Sequence, residues 1–309
     1  MTHPVVSLLS ARAAAGARAD GHRLALVVEG GGMRGVVSAA MTAAIEELGL
    51  TGCFDLVAGT SAGALNGAAL LAGVADGCTR EYADGFAGRE FINPARLLLG
   101  RPAVNVEFAL DYSSAALDAH RHARAVASDI ELHCVATDVA TAAPTALTGM
   151  STLDELRGAL LATSRLPWVG GRPVEFRGRR WLDGGLTEPV PVPAALAAGA
   201  THVLVLLTRA LGVVPSPPRG LADRIVECRL RALNPALVTA YRTRDAKVQR
   251  MLRSLVDAGE SGPPYVLTVA PARDAPEPSR LERDSDVLRA AAEHARRRTL
   301  DALAAHRVG

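Results

Sequence analysis

Residues 24–35, LALVVEGGGMRG, and residues 54–63, FDLVAGTSAG, decide the fold between them. The first opens with an apolar run over 24–29 that does not alternate with polar residues and stops at three glycines. The hydrophobic period then changes: Val37, Met41, Ile45 and Leu48 share one helical face, and Gly49 stands where a helix C-cap belongs. The second stretch predicts a strand over 54–58, a glycine turn, and another helix rich in Ala and Leu. Buried, non-alternating strands separated by helices predict an α/β fold with a mostly parallel central sheet and helices on both faces.

The same pattern extends outward from these two units. A strand is expected over 131–137, a helix over 153–161 and a hairpin-like stretch over 174–182 that turns at Arg177-Gly178-Arg179. Further strands follow over 202–208 and 265–269, with helices between and after them. Residues 79–128 lack a clean repeat and are broken at Asn93-Pro94 and Arg101-Pro102. They are expected to form an inserted helical cap over the sheet edge. Residues 212–220, with Pro215, Pro217 and Pro218, read as a loop. Residues 1–22 are expected to be a flexible N-terminal segment, and residues 23–309 a single domain whose core motifs lie within 24–208. No internal repeat is present.

Composition narrows the class. Basic residues number 34 and acidic residues 32, so net charge gives no argument for a nucleic-acid partner. Lys247 is the sole lysine, an arginine skew that reads as coding bias rather than phosphate recognition. Cys53, Cys78, Cys134 and Cys228 form neither a closely spaced zinc pattern nor the framework of a small secreted domain. They are expected to be reduced thiols in a cytoplasmic protein. Residues 5–9 are too short for a signal h-region, and no stretch approaches about 18 uncharged apolar residues, so no membrane span is expected. No metal-ligand cluster is evident and no cofactor is required.

Three motifs carry chemistry. The run Gly30-Gly31-Gly32-Met33-Arg34-Gly35 satisfies G-x-G-x-x-G between a strand and a helix. A dinucleotide site would need an acidic residue at the C-terminal end of the next strand, whereas Asp55 stands at the beginning of its strand. Glu29 would also lie awkwardly near a pyrophosphate. The other use of such a run is an oxyanion hole, in which backbone N–H groups at a helix N-terminus face a developing negative charge. On these residues alone both uses stand.

The second motif, Gly59-Thr60-Ser61-Ala62-Gly63, is a G-x-S-x-G on a strand-to-helix turn, where a sharp bend exposes the serine and small neighbours avoid collision. A serine nucleophile needs a base. The third motif, Asp183-Gly184-Gly185, offers a carboxylate at a strand end, followed by glycines that let the chain turn away. Alone, Asp-Gly is an ordinary turn dipeptide.

GGGMRG, then GTSAG, then DGG, each after a strand and in this order, resembles the patatin-like phospholipase family, over roughly residues 24–185. Residues 162–167, ATSRLP, are similar to the family's small-residue helix end before its Asp motif. The resemblance implies a three-layer patatin-like fold and a Ser–Asp dyad of Ser61 and Asp183. It implies backbone amides around Gly31, Gly32 and Met33 as the oxyanion hole, and a lipid or carboxylic ester as substrate. Arg34 would attract a phosphate headgroup or, more simply, pair with a local carboxylate.

The histidines argue the same way. In an α/β-hydrolase triad the acid and then the histidine follow the serine, and the histidine sits on a loop after a strand. His202 opens a strand, His294 lies within an Arg-rich helix, His306 is near the end, and His120, His122 and His133 precede any plausible acid motif. None fits. Residues 237–255 plot as a basic amphipathic helix that can lie on an anionic membrane, or more simply cover the core with its apolar face. The Leu97-Leu98-Leu99 run and Phe108 offer a lid, an acyl-chain wall, or cap packing. Peripheral membrane contact is thus one expectation, and the sequence does not fix an oligomeric state. Acyl transfer or thioester cleavage through the same dyad, and a non-catalytic lipid-binding role, are the alternatives to ester hydrolysis.

Overall fold

In a computed structural model, which describes residues 2–112, 119–167, 169–212, 220–258 and 262–304, the apolar runs become the inner strands of one sheet. These are β1 (Leu24–Val28), β2 (Leu56–Thr60), β3 (Glu131–Asp138), β4 (Pro144–Leu147), β5 (Val174–Phe176), β6 (Arg179–Asp183), β7 (His202–Leu206) and β8 (Tyr265–Val269). They lie in the order β5-β6-β3-β2-β1-β7-β8, with β4 also paired to β3. From β3 to β8 every neighbour is parallel, and β4, β5 and β6 complete one side as antiparallel additions. The sheet is therefore mixed but mostly parallel.

Burial on both faces explains why the strands read as unbroken apolar runs. Along β1, Leu24, Leu26 and Val28 join one core while Ala25 and Val27 join another, because successive side chains point to opposite faces. The first core is covered by α2 (Gly35–Glu47), α3 (Ala62–Ala72) and the helix Ser285–Leu303. The second is covered by the helix Val192–Ala197 and by part of the helix Pro235–Ala258, including Leu252. Three layers result, as expected. Gly49, with φ 72°, ends α2 by donating to the Glu46 carbonyl.

Three expectations need correction. The N-terminal segment is not flexible throughout: Pro4–Ala15 forms helix α1, with Pro4 in its first turn and Val5 and Leu9 fully buried. Arg12, also buried, donates to Asp20, to Asp55 at 2.7 Å, and to the carbonyls of Cys53 and His22. Two apolar contacts and a satisfied guanidinium fix the segment to the sheet end. Second, the irregular stretch after Thr79 packs Tyr82, Phe86, Ile92 and Leu110 into the first core, and none of its described residues borders the cavity described below. Of the uses left open for this stretch, cap packing fits Phe108, which lies against the core; Leu98 and Leu99 are exposed, and none of Leu97–Leu99 or Phe108 borders the cavity as an acyl-chain wall. Third, the short strand β4 has no counterpart in the sequence reading, since only Leu147 of its residues is buried. The proline-rich loop lies almost wholly outside the described residues, as do Trp168 and His306.

Candidate active site

Strand β2 delivers Ser61 onto a turn so tight that its backbone takes φ 55° and ψ −128°, a left-handed setting that costs a non-glycine residue about 1–3 kcal/mol. Surrounding contacts hold it there. A Cβ on Gly63 would stand 2.2 Å from the Val28 carbonyl oxygen, and one on Gly30 would stand 2.1 Å from the Thr60 carbonyl oxygen. Both positions therefore admit glycine alone. The Ser61 amide donates to Thr163 Oγ1 at 2.9 Å, and Thr163 in turn donates to the Val135 carbonyl. Ser61 is also the N-cap of α3, whose positive end faces the space beside its hydroxyl.

Asp183 ends β6, an antiparallel neighbour of β3, and so reaches β2 from the far side of one strand. Ser61 Oγ donates to Asp183 Oδ2 at 2.7 Å. The other carboxylate oxygen accepts from the Gly185 amide at 2.7 Å. The Asp183 backbone is fixed at both ends: its N–H donates to the Arg165 carbonyl at 2.8 Å, and its carbonyl accepts from Thr137 Oγ1 at 2.8 Å. With Asp183 only 3 % exposed, burial pushes its carboxyl above the ordinary range. The hydrogen bonds from Ser61 and Gly185, and the charges of Arg280 and Arg244, oppose that rise. A strained serine hydroxyl on a buried carboxylate is what a nucleophile and its general base require.

The glycine loop divides into two parts. Gly30, Gly31 and Gly32 line a cavity with Ser61 and Asp183, and the amides of Gly31 and Gly32 meet no acceptor among the described residues. Met33, Arg34 and Gly35, expected with them in the hole, turn away. The Met33 amide donates to the Arg280 carbonyl at 3.0 Å, and its side chain is buried. Arg34 lies buried beneath Gly31, where Nε donates to Thr208 Oγ1 and Glu29 supplies the nearby negative charge. Desolvation lowers its pKa to about 10. Gly35 serves the crossing of α2 over α3: a Cβ there would meet Ala62 Cβ at 2.6 Å, and its carbonyl accepts from buried Asn66.

The cavity measures about 250 Å³. One wall is apolar, from Leu166, Pro167 and Val169 to Leu186, Val190 and Leu252. Arg209, Arg244 and Arg280 line the same cavity as Ser61 and Asp183. The helix Pro235–Ala258 supplies Tyr241, Arg244, Val248 and Leu252, so its apolar face covers the cavity and core. No described histidine lines the space, and among the described residues no three of His, Cys, Asp and Glu gather to hold a metal.

A family model of patatin-like phospholipases matches residues 26–196, over half of the chain. The chain belongs to this family. Among curated proteins it is 29 % identical over 190 residues to the uncharacterized protein YjjU of Escherichia coli (strain K12), covering 60 % of this chain and 52 % of that one. It is 28 % identical over 132 residues to the human patatin-like phospholipase domain-containing protein 4, covering 41 % and 51 % respectively. The chain thus spans about half the length of the curated relatives it matches. Membership supports lipid hydrolysis in general terms. No described helix is long and apolar enough to cross a membrane.

Within this patatin-like site, sequence reasoning missed three contributions. Thr163 and Arg165 tether the two members of the Ser61–Asp183 pair, although the ATSRLP stretch containing them had drawn attention. Thr137 binds the Asp183 carbonyl. Arg209, Arg244 and Arg280 come from beyond the matched region, where only generic pattern was legible.

Proposed function

We propose that the chain is a serine acyl hydrolase of lipid carboxylic esters, with Ser61 as nucleophile and Asp183 as its base. The observation that carries this reading is the 2.7 Å bond from Ser61 Oγ to Asp183 Oδ2 at the floor of a cavity lined by glycine amides. Ser61 Oγ attacks the ester carbonyl while its proton passes to Asp183. The amides of Gly31 and Gly32, with the N-terminus of α3, stabilise the tetrahedral oxyanion. One such donor is worth about 2.7–4 kcal/mol in the transition state. The departing alkoxide takes the proton from Asp183, leaving an acyl-serine. Water then gives a proton to Asp183 and its hydroxide to the acyl carbon; the acyl C–Oγ bond breaks, Ser61 Oγ takes that proton back from Asp183, and the acid is released.

The apolar wall suits an acyl chain. At about 250 Å³ the cavity lies below the ~300–1,000 Å³ usual for drug-sized ligands, so it takes the ester and the start of one chain while the rest of the lipid stays outside. Leu98 and Leu99, 89 % and 74 % exposed between Arg96 and Arg101, form an apolar tip with basic flanks suited to a lipid surface. The tip belongs to the segment that binds Val169 of the cavity wall through the Val104 amide, at 2.9 Å. Turnover of a short-chain aryl ester tests the reading: Ser61→Ala and Asp183→Asn should each lower kcat by about 10⁴-fold or more while the fold persists. Retained activity in either folded variant overturns it.

A further inference from the structure

The chain after residue 196 contributes three arginines to the cavity, and one of them, Arg244, is buried with a donor unmatched. Arg244 lies over the Tyr241 ring with 4.5 Å between guanidinium carbon and ring centroid, and is 8 % exposed. Its Nη1 reaches the Gly185 carbonyl at 3.4 Å, a long bond, and its Nε is buried without a hydrogen bond, although Asp245 Oδ1 lies 3.5 Å away. A guanidinium carries five N–H donors, and burying them unmatched is costly. Such an arginine, lining a cavity, is satisfied when an anion enters.

Arg280 approaches from the glycine-loop side. Its carbonyl holds the Met33 amide and lies against Gly32, so its backbone is tied to the glycine loop, while the residue itself is solvent-exposed at the cavity's edge. Arg244 and Arg280 line the same cavity as Ser61 and Asp183, and both lie near enough for their charges to act on Asp183 and on one another. Arg209, by contrast, is paired with Glu277 at 3.4 Å. Arg34, the residue in the glycine motif, is buried on Thr208 beside Glu29 and does not line the cavity.

We propose that Arg244 and Arg280 form a subsite for a phosphate group carried by the acyl substrate a few bonds from the scissile ester. This rests on the reading of Ser61 and Asp183 as the acyl-transfer centre. A phosphate presents enough oxygens to accept from two guanidinium groups at once, and guanidinium matches it in geometry. The aromatic ring under Arg244 and the carbonyl of Gly185 hold that side chain ready before substrate arrives.

The test compares two monomeric esters of equal chain length, dihexanoyl phosphatidic acid and dihexanoylglycerol. The wild-type chain should prefer the phosphate-bearing ester in kcat/KM. Arg280→Gln and Arg244→Gln should each reduce that preference by about ten- to hundredfold, mainly through KM, while turnover of dihexanoylglycerol changes by less. Arg280→Lys, which keeps the charge but loses the fork, should recover part of the preference. Equal losses on both esters would assign the arginines a structural role and overturn the proposal, as would the absence of any preference in the wild type. The Ser61→Ala protein separates this idea from the dyad reading, because binding needs no turnover. It should bind the phosphatidic acid more tightly than the diacylglycerol, and Arg280→Gln should erase the difference. If inorganic phosphate alone binds as tightly as the short phosphatidic acid, the subsite serves a free anion, which contradicts its place in an acyl substrate.

Discussion

In the proposed pair of Ser61 and Asp183, position would substitute for a third residue. The serine is strained upward by its backbone, and the carboxylate is held by Gly185, Arg165 and Thr137, so no histidine is needed to orient either group. The proposed base is then a buried carboxyl. Burial raises its pKa, and Arg280 and Arg244 pull it partly back. Because a base must be ionised to accept a proton, activity on a neutral aryl ester should fall as pH drops through a value above the ordinary aspartate pKa. Removing a nearby positive charge raises that pKa further, so Arg280→Gln should move the acidic limb of kcat/KM to higher pH. A pH–rate profile of the two proteins reads this directly, and an unmoved or downward-moved limb would contradict the electrostatic account.

At the scale of elements, the end of the helix Leu153–Ser164 is the splint between Ser61 and Asp183. Thr163 takes the Ser61 amide, and two residues later the Arg165 carbonyl takes the Asp183 amide. Thr163→Val leaves a buried N–H without its acceptor and should lower kcat by about ten- to hundredfold with KM little changed; a loss confined to KM would argue against a positioning role. Glu188, whose carbonyl accepts from Thr60, lies on the loop that follows Asp183. Desolvation raises its carboxyl to about 7. A raised acid pKa in the folded state means that the fold binds the proton more tightly than the unfolded chain, so this group's contribution weakens as pH climbs from about 4.5 to 7. Glu188→Gln should therefore show a smaller fall in Tm between pH 5 and pH 8 than the wild type. The parallel strands and the three glycine motifs were legible in sequence because such strands are continuous apolar runs and tight turns demand small residues, whereas the antiparallel β4, mostly unburied, was not. Thr163, Thr137 and Arg280 were not, because each acts on a residue far along the chain. The outward turn of Met33 was equally hidden, since its acceptor, the Arg280 carbonyl, lies nearly 250 positions away.

Across the whole molecule, the N-terminal two-thirds carries seven of the eight described strands with Ser61 and Asp183, while the later chain adds β8 and walls the cavity with Arg209, Tyr241, Arg244 and Arg280. Helix α1 clamps the opposite end of the sheet through Arg12, and its i, i+4 pair Val5 and Leu9 was readable but short. Arg12→Ala leaves Asp20 and Asp55 without their partner and should lower unfolding stability by about 3 kcal/mol, measured by denaturant unfolding. At the surface, Leu98→Asp with Leu99→Asp should reduce hydrolysis of anionic vesicles far more than hydrolysis of a monomeric ester; equal effects would remove the tip from the lipid-contact account. The central claim, that Ser61 is the nucleophile and Asp183 its base, is met most directly by a fluorophosphonate probe followed by peptide mapping. The account predicts a single adduct at Ser61, absent from Ser61→Ala and much slower to form in folded Asp183→Asn. Labelling at another residue, or an Asp183→Asn protein that labels at the wild-type rate, would contradict it.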